Sequence, residues 1–167
     1  SNLSPSKNIE FEKGTRVKGL QNQYVNMQTP HLIIHRKNNN NIELLENGVK
    51  AKAGDLLQLA YVAAKESHGV IFSIDGNGTV TLHFPDKKNE STALKQKKKV
   101  FLASAYELDN APEFERFFFI TSNSEIDVEH VLKSAEALAK NPGRIKDENI
   151  GLKETLNQYT ILIKKGD

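Results

Sequence analysis

The chain has 167 residues, no cysteine, a formal net charge of +2 and a pI near 8.7. That length suits a single domain around one core, and the near balance of charge argues against a general nucleic-acid footprint. The lack of cysteine removes a disulfide framework, a thiolate nucleophile and a cysteine-based zinc site, while a mean hydropathy of −0.52 says that polar tails or long loops dilute the core.

No apolar run reaches the roughly 20 residues that cross a bilayer, and the N-terminus lacks the apolar stretch of a signal peptide. The chain opens on SNLSPSKNIEFEKG without a Met, which leaves room for an anchor or export signal upstream. Residues 1–19 are polar and without sustained period, so they read as a flexible lead-in; residues 20–167 read as the single domain.

After Pro30, HLIIHRK predicts a short strand; Pro at its entrance removes no ladder donor. Asn38 to Asn41 predict a hairpin loop, because Asn tolerates left-handed backbone. Ile42 to Glu46, the turn Asn47-Gly48, a basic link Lys50-Ala51-Lys52 and a second turn at Gly54-Asp55 follow. Leu56, Leu57, Leu59, Tyr61 and Val62 predict a strand central to a sheet. Gly69 restarts the chain in VIFSI, and Asp75, Gly76, Asn77 and Gly78 form a tight hairpin turn. TVTLHF returns with Val80, Leu82 and Phe84 expected on one face and Thr79, Thr81 and His83 on the other.

Lys87 to Lys99 is polar and lysine-rich with Leu94 its one large apolar residue, so it reads as a long exposed loop. VFLASAYEL and ERFFFITS predict two further strands joined by the turn Asp109-Asn110-Ala111-Pro112. Three consecutive phenylalanines, Phe117 to Phe119, put aromatic rings on both faces of their strand, so both faces need cover. A helix near 127–140 provides it: Ser124 or Asp127 can cap, Val128, Val131, Leu132, Ala135, Leu138 and Ala139 recur at helical spacing, and Asn141-Pro142-Gly143 stops it. A closing strand near 158–165, YTILIKK, is expected at a sheet edge, its lysines discouraging further pairing. About seven or eight short strands precede or flank one amphipathic helix, which argues for an antiparallel β-sandwich, with a helix-covered barrel as second choice.

The order of signals also resembles a known family. Gly54-Asp55 opens an apolar strand, a glycine precedes a strand ending Ile74-Asp75, and the Asp-Gly-Asn-Gly turn leads to a strand closing in Phe84-Pro85. Ala105-Tyr106-Glu107-Leu108 and Phe114-Glu115-Arg116-Phe117 follow. From Leu32 to Ser122 this resembles the bacterial domain of unknown function 4384. The resemblance implies an immunoglobulin-like sandwich in an envelope or secreted bacterial protein. The helix and the YTILIKK strand resemble the subgroup attached to membrane-anchored anti-sigma-type regulators. The family has no established catalytic residues to carry over.

The residues themselves are sparing in chemistry. His31 and His35 on one strand face stand about 13 Å apart, too far to share a metal, and read as solvated strand-end histidines. Asp75-Gly76-Asn77-Gly78 lacks the third acidic ligand of a calcium loop. Asp109, Glu113 and Glu115 read as solvated turn carboxylates, with no nucleophile or base beside them. Glu115 and Arg116 read as a structural clasp, the arginine pairing with an acidic turn or capping free carbonyls. Glu66-Ser67-His68 lacks the nucleophile elbow of a hydrolase. Lys95, Lys97, Lys98 and Lys99 with Asn39 and Asn40 are the candidate contact surface.

The expectation is a non-enzymatic sensory or protein-interaction domain of a bacterial envelope regulator, without catalytic residues, metal or cofactor. Its partner is expected to be a protein, with an anionic ligand or lipid surface the alternative through the lysine loop; nucleic acid is disfavoured because no aromatic residues interleave those lysines. A self-associating structural or adhesion module and a sandwich-type hydrolase are the other readings. The expected location is the envelope or periplasm, and the cytoplasm stays open.

Overall fold

The computed structural model describes residues 28–166, together with the backbone of Leu3–Ser4 and Arg16–Lys18. In chain order the elements are β1 (Leu3–Ser4), β2 (Arg16–Lys18), β3 (His31–Asn38), β4 (Asn41–Leu45), β5 (Lys50–Ala51), β6 (Leu56–Val62), β7 (His68–Asp75), β8 (Val80–Phe84), β9 (Val100–Phe101), β10 (Tyr106–Glu107), β11 (Phe114–Ser122), α1 (Val128–Ala139) and β12 (Asn157–Lys165). One sheet runs β1-β8-β7-β11-β12-β5; the other runs β10-β6-β3-β4-β2, with β9 also on β6. The long ladders are antiparallel, and the short edge pairs β1 with β8, β2 with β4 and β5 with β12 are parallel. No helix among the described residues is long and apolar enough to cross a membrane.

The protein is mainly β, two sheets face to face with one helix on the outer side of the first. β11 explains why. All nine of its residues are buried, because strand alternation sends Phe118 and Ile120 to the helix side and Phe117 and Phe119 to the second sheet. On the helix side Phe72 stacks on Phe118 at 4.7 Å, above Val131, Leu132 and Ala135. Between the sheets Phe117 and Phe119 meet Ile34, Leu57 and Leu59. Each such phenylalanine contributes about 2 kcal/mol relative to exposure.

The helix forms where its apolar spacing and its caps agree. Asp127 accepts from the His130 N–H at 3.1 Å, and Glu129 sits in the positive first turn. Past the end, the Asn141 N–H donates to the Leu138 carbonyl before Pro142 prevents continuation. The hairpin turn at Asp75 is equally determined: its Oδ1 accepts the N–H groups of Asn77 and Thr79 at 2.9 and 3.0 Å. Gly76 is obligatory there, since a Cβ would stand 1.8 Å from the Pro112 carbonyl oxygen of the neighbouring turn.

Several expectations are corrected. Leu3–Ser4 and Arg16–Lys18 pair with β8 and β4 inside the lead-in read as flexible; the rest of that lead-in lies outside the described residues. The link Lys50–Ala51 is a strand that crosses to β12 of the opposite sheet. VFLASAYEL is two strands, not one: Phe101 faces Ala60 and Tyr106 faces Leu57, so five steps of this segment match three of β6 and the surplus loops out. The lysine loop is tied at its middle, where Thr92 and Leu94 are buried and exchange backbone hydrogen bonds with Gly69 and Ser67, both 2.8 Å.

Candidate recognition cleft

The most consequential departure is in β8. Phe72 faces Leu82 while Ile71 faces Phe84, so His83 is an extra residue, a β-bulge. Val80 and Leu82 therefore stay with the helix core, whereas Phe84 turns to the space between the sheets and packs against Tyr61 at 5.8 Å. His83 follows it inward, and its Nε2 meets the Ser73 hydroxyl at 2.8 Å. Burial pushes its pKa down to about 3, so the ring is neutral.

A polar cluster runs from the interior beyond His83 out to the surface at Asp109. Tyr106 lies edge-on to that ring at 4.7 Å and donates its hydroxyl to Glu115 Oε1 at 3.4 Å. Lys165 Nζ, from the end of β12, stands 2.9 Å from Asp109 Oδ1 and 3.4 Å from Glu115 Oε1. Asp75 completes the group: one oxygen from each of Asp75, Asp109 and Glu115 lies within 4.8 Å of the others. Burial raises Glu115 to about 7, against the Ser73 hydroxyl and the Lys165 ammonium, which lower it. Burial likewise raises Asp75, against the N–H groups it accepts. Three carboxylates could hold a divalent cation, but the Lys165 ammonium already lies among them and supplies the positive charge. Catalysis from this cluster meets a steric obstacle, since Ser73 and Glu115 are fully buried.

His83 is also the inner wall of a cleft of about 420 Å³ that opens between the sheets, lined by Tyr61, Phe84, Val100, Leu102 and Lys95 among others. Phe101 stands on its rim, 52% exposed, the one large exposed hydrophobic side chain among the described residues. Lys99 lies 5.1 Å above the Phe101 ring.

The residues singled out in the sequence are distributed unevenly about this cleft. Lys95 lines it, Lys97 and Lys98 are exposed beside it, and Lys99 is half-buried on Phe101 rather than solvated. Asn39 and Asn40 form the exposed tip of the β3–β4 hairpin, with Asn39 at φ 56°, and are not among the cleft's lining residues. Asp75, Gly76, Asn77 and Gly78 are the β7–β8 turn.

Glu115 and Arg116 do not form one clasp: successive strand residues point to opposite faces. Arg116 caps the carbonyls of Ile145, at 2.6 Å, and Glu148, reaches Asn149 and Thr160, and lies over Phe118 at 4.6 Å. Glu115 and Asp109 are not free turn carboxylates, because Lys165 returns from the far end of the chain to meet them, although Asp109 keeps half of its side chain in water; Glu113 is exposed and does not join them.

The histidines differ from expectation as well. His31 bonds the Thr29 carbonyl at 2.8 Å, but His35 is only 1% exposed, against Phe101, with burial and then Lys99 pushing its pKa to about 4. His68 meets Thr92 at 3.0 Å and Glu66 accepts from Asn157 at 2.8 Å, so the Glu66-Ser67-His68 run is structural. His83, Lys165 and Phe101 escaped sequence reasoning. The one signal available was His83 itself, a polar residue in an otherwise regular strand, since a bulge leaves no other mark in the sequence.

Comparison with protein-family models, with curated proteins and with solved structures finds no match to this chain.

Proposed function

We propose that this chain is a non-enzymatic recognition domain, the extracytoplasmic sensory or protein-interaction part of a bacterial envelope regulator, built as an immunoglobulin-like sandwich. The envelope setting and the immunoglobulin-like topology come from the resemblance over Leu32 to Ser122. One observation carries the recognition reading: the accessible chemistry is a surface for contact. An exposed Phe101 and a lysine rim border an aromatic-lined cleft, while Ser73 and Glu115 are fully buried, Ser73 against His83 and Glu115 beside Lys165. A hydrolase needs those groups to reach a substrate.

Comparing transcription from the full-length regulator with and without this domain tests the reading, and identical signalling in both rejects the sensory role. The exposed Phe101 also favours a second reading, a self-associating structural module. Sedimentation velocity separates the two: a monomer up to high concentration rules out self-association.

A further inference from the structure

We propose that the partner is an extended acidic segment of another protein, which adds itself as a strand along β9 and seats an aromatic or branched apolar side chain in the cleft; this rests on the recognition reading above. Three features converge on that occupant.

The first is a free strand edge. β9 pairs with β6 and with no other strand among the described residues. The Leu102 N–H donates to the Leu59 carbonyl at 2.9 Å, so alternation of strand backbone turns the N–H and carbonyl of Phe101 away from β6, toward that edge. Unpaired strand groups of this kind take a peptide by β-augmentation, in which the main chain supplies affinity and pockets for alternate side chains supply selectivity.

The second is the pocket beside the edge. Val100 and Leu102, the β9-side residues flanking Phe101, line the cleft with Tyr61 and Phe84 across from them. At about 420 Å³ it stands near the lower end of the roughly 300–1,000 Å³ usual for ligand clefts. That volume suits one or two large side chains entering from an extended chain.

The third is charge. Between Asp86 and Lys99 there are six lysines and two carboxylates. No ion pair ties Lys95, Lys97, Lys98 or Lys99 to a carboxylate among the described residues. Lys99 is partly desolvated over Phe101, and burial lowers its pKa, so an acidic neighbour there would be favoured. A partner with carboxylates flanking one apolar anchor matches both the rim and the cleft.

The probe is a fluorescein-labelled peptide Asp-Glu-Phe-Val-Glu-Asp, titrated by anisotropy with the 167-residue chain. Parallel titrations use the same peptide with glycine for its two apolar residues, and anionic phosphatidylglycerol vesicles. Expected are saturable binding that weakens with salt, loss of binding by the glycine peptide, and protection of the Phe101 amide from hydrogen exchange in the complex. Replacing Lys95, Lys97, Lys98 and Lys99 with serine should weaken binding about tenfold, the sum of four exposed pairs.

Equal binding of both peptides would overturn the proposal, since lysines alone would then account for it. Binding to vesicles with none to the peptide would overturn it too, yet leave the recognition reading standing. No binding to either, with the regulator's signalling unchanged by removal of the domain, would reject both. The exchange measurement is made on the unaltered chain, so a variant that fails to fold cannot obscure the result.

Discussion

The cluster around Glu115 and the lysine rim around Phe101 use charge in opposite ways. Inside, Lys165 is matched by Asp109 and Glu115 at 2.9 and 3.4 Å, with Asp75 alongside. On the rim, four lysines stand in five residues without a carboxylate partner among those described. Lys165 offsets part of the cost of burying Glu115, whose raised pKa reflects desolvation outweighing the pairing; charges left facing water are available to something else. Substitutions in the two regions should therefore separate stability from binding.

The largest effect belongs to the interior. Gly76→Ala places a methyl group against the Pro112 carbonyl, at 1.8 Å before relaxation, and must push apart the two turns that carry Asp75 and Asp109. A loss of about 4 kcal/mol is expected in denaturant unfolding, and a change under 1 kcal/mol would mean that the turns are not held together. Arg116→Ala strips the hydrogen bonds from the Ile145 and Glu148 carbonyls and bares Phe118. Calorimetry should record a cost of about 3 kcal/mol.

Lys165→Met removes the cation and keeps the aliphatic stem. Its cost should be about 1–2 kcal/mol at pH 8, where Glu115, without the ammonium that lowers its pKa, must take up a proton that the wild type largely does without. Because the Glu115 pKa is near 7 even with Lys165 present, the carboxyl can take a proton at pH 5 and the cost should shrink. A pH-independent loss would place the role of Lys165 in packing alone.

The wild-type pH profile follows from the same groups. His35 and His83 have folded pKa values of about 4 and 3 against 6.5 unfolded, so they bind fewer protons in the fold. Their stabilisation is complete above 6.5 and is lost as pH falls. Glu115, at about 7 against 4.5, has the reverse sign, its stabilisation fading as pH rises from 4.5 to 7. Two histidines outweigh one carboxyl, so thermal stability should climb to a maximum near pH 6.5 and slip slightly beyond it. A melting temperature highest near pH 4.5 would contradict the neutral burial of both histidines.

The smallest stability effect is on the rim. Lys95, Lys97 and Lys98 replaced by alanine should each change unfolding by less than about 0.5 kcal/mol, while weakening any acidic partner. A destabilisation of 2 kcal/mol would show that the rim is structural and erase the contrast.

Much of the framework was legible because its signals are local. The turns at Asn47-Gly48, Gly54-Asp55 and Asp75–Gly78 stand where their backbone chemistry puts them, and the helix of Val128–Ala139 has its cap and stop within the same stretch of chain. The double cover of Phe117 to Phe119 was legible too, since consecutive aromatics cannot share a face. The candidate site was scarcely legible. Lys95, Lys97 and Lys98 were identifiable as exposed cations, but the cleft they border depends on the His83 bulge, on the surplus residues between β9 and β10, and on Tyr61 opposite Phe84.

Taken alone, then, the sequence determined where the chain turns, where its one helix runs and which strand must lie between two layers. Those outcomes depend on backbone preference and residue period within a few neighbours. Only the tertiary structure decided that Asp75, Asp109, Glu115 and Lys165 meet, that His35 and His83 are buried and neutral, and that Phe101 is left outside beside a cleft. Desolvation and charge pairing act through space between residues as far apart as β7 and the last residues of β12. A carboxylate in a turn motif looks the same in sequence whether water or a distant lysine will face it.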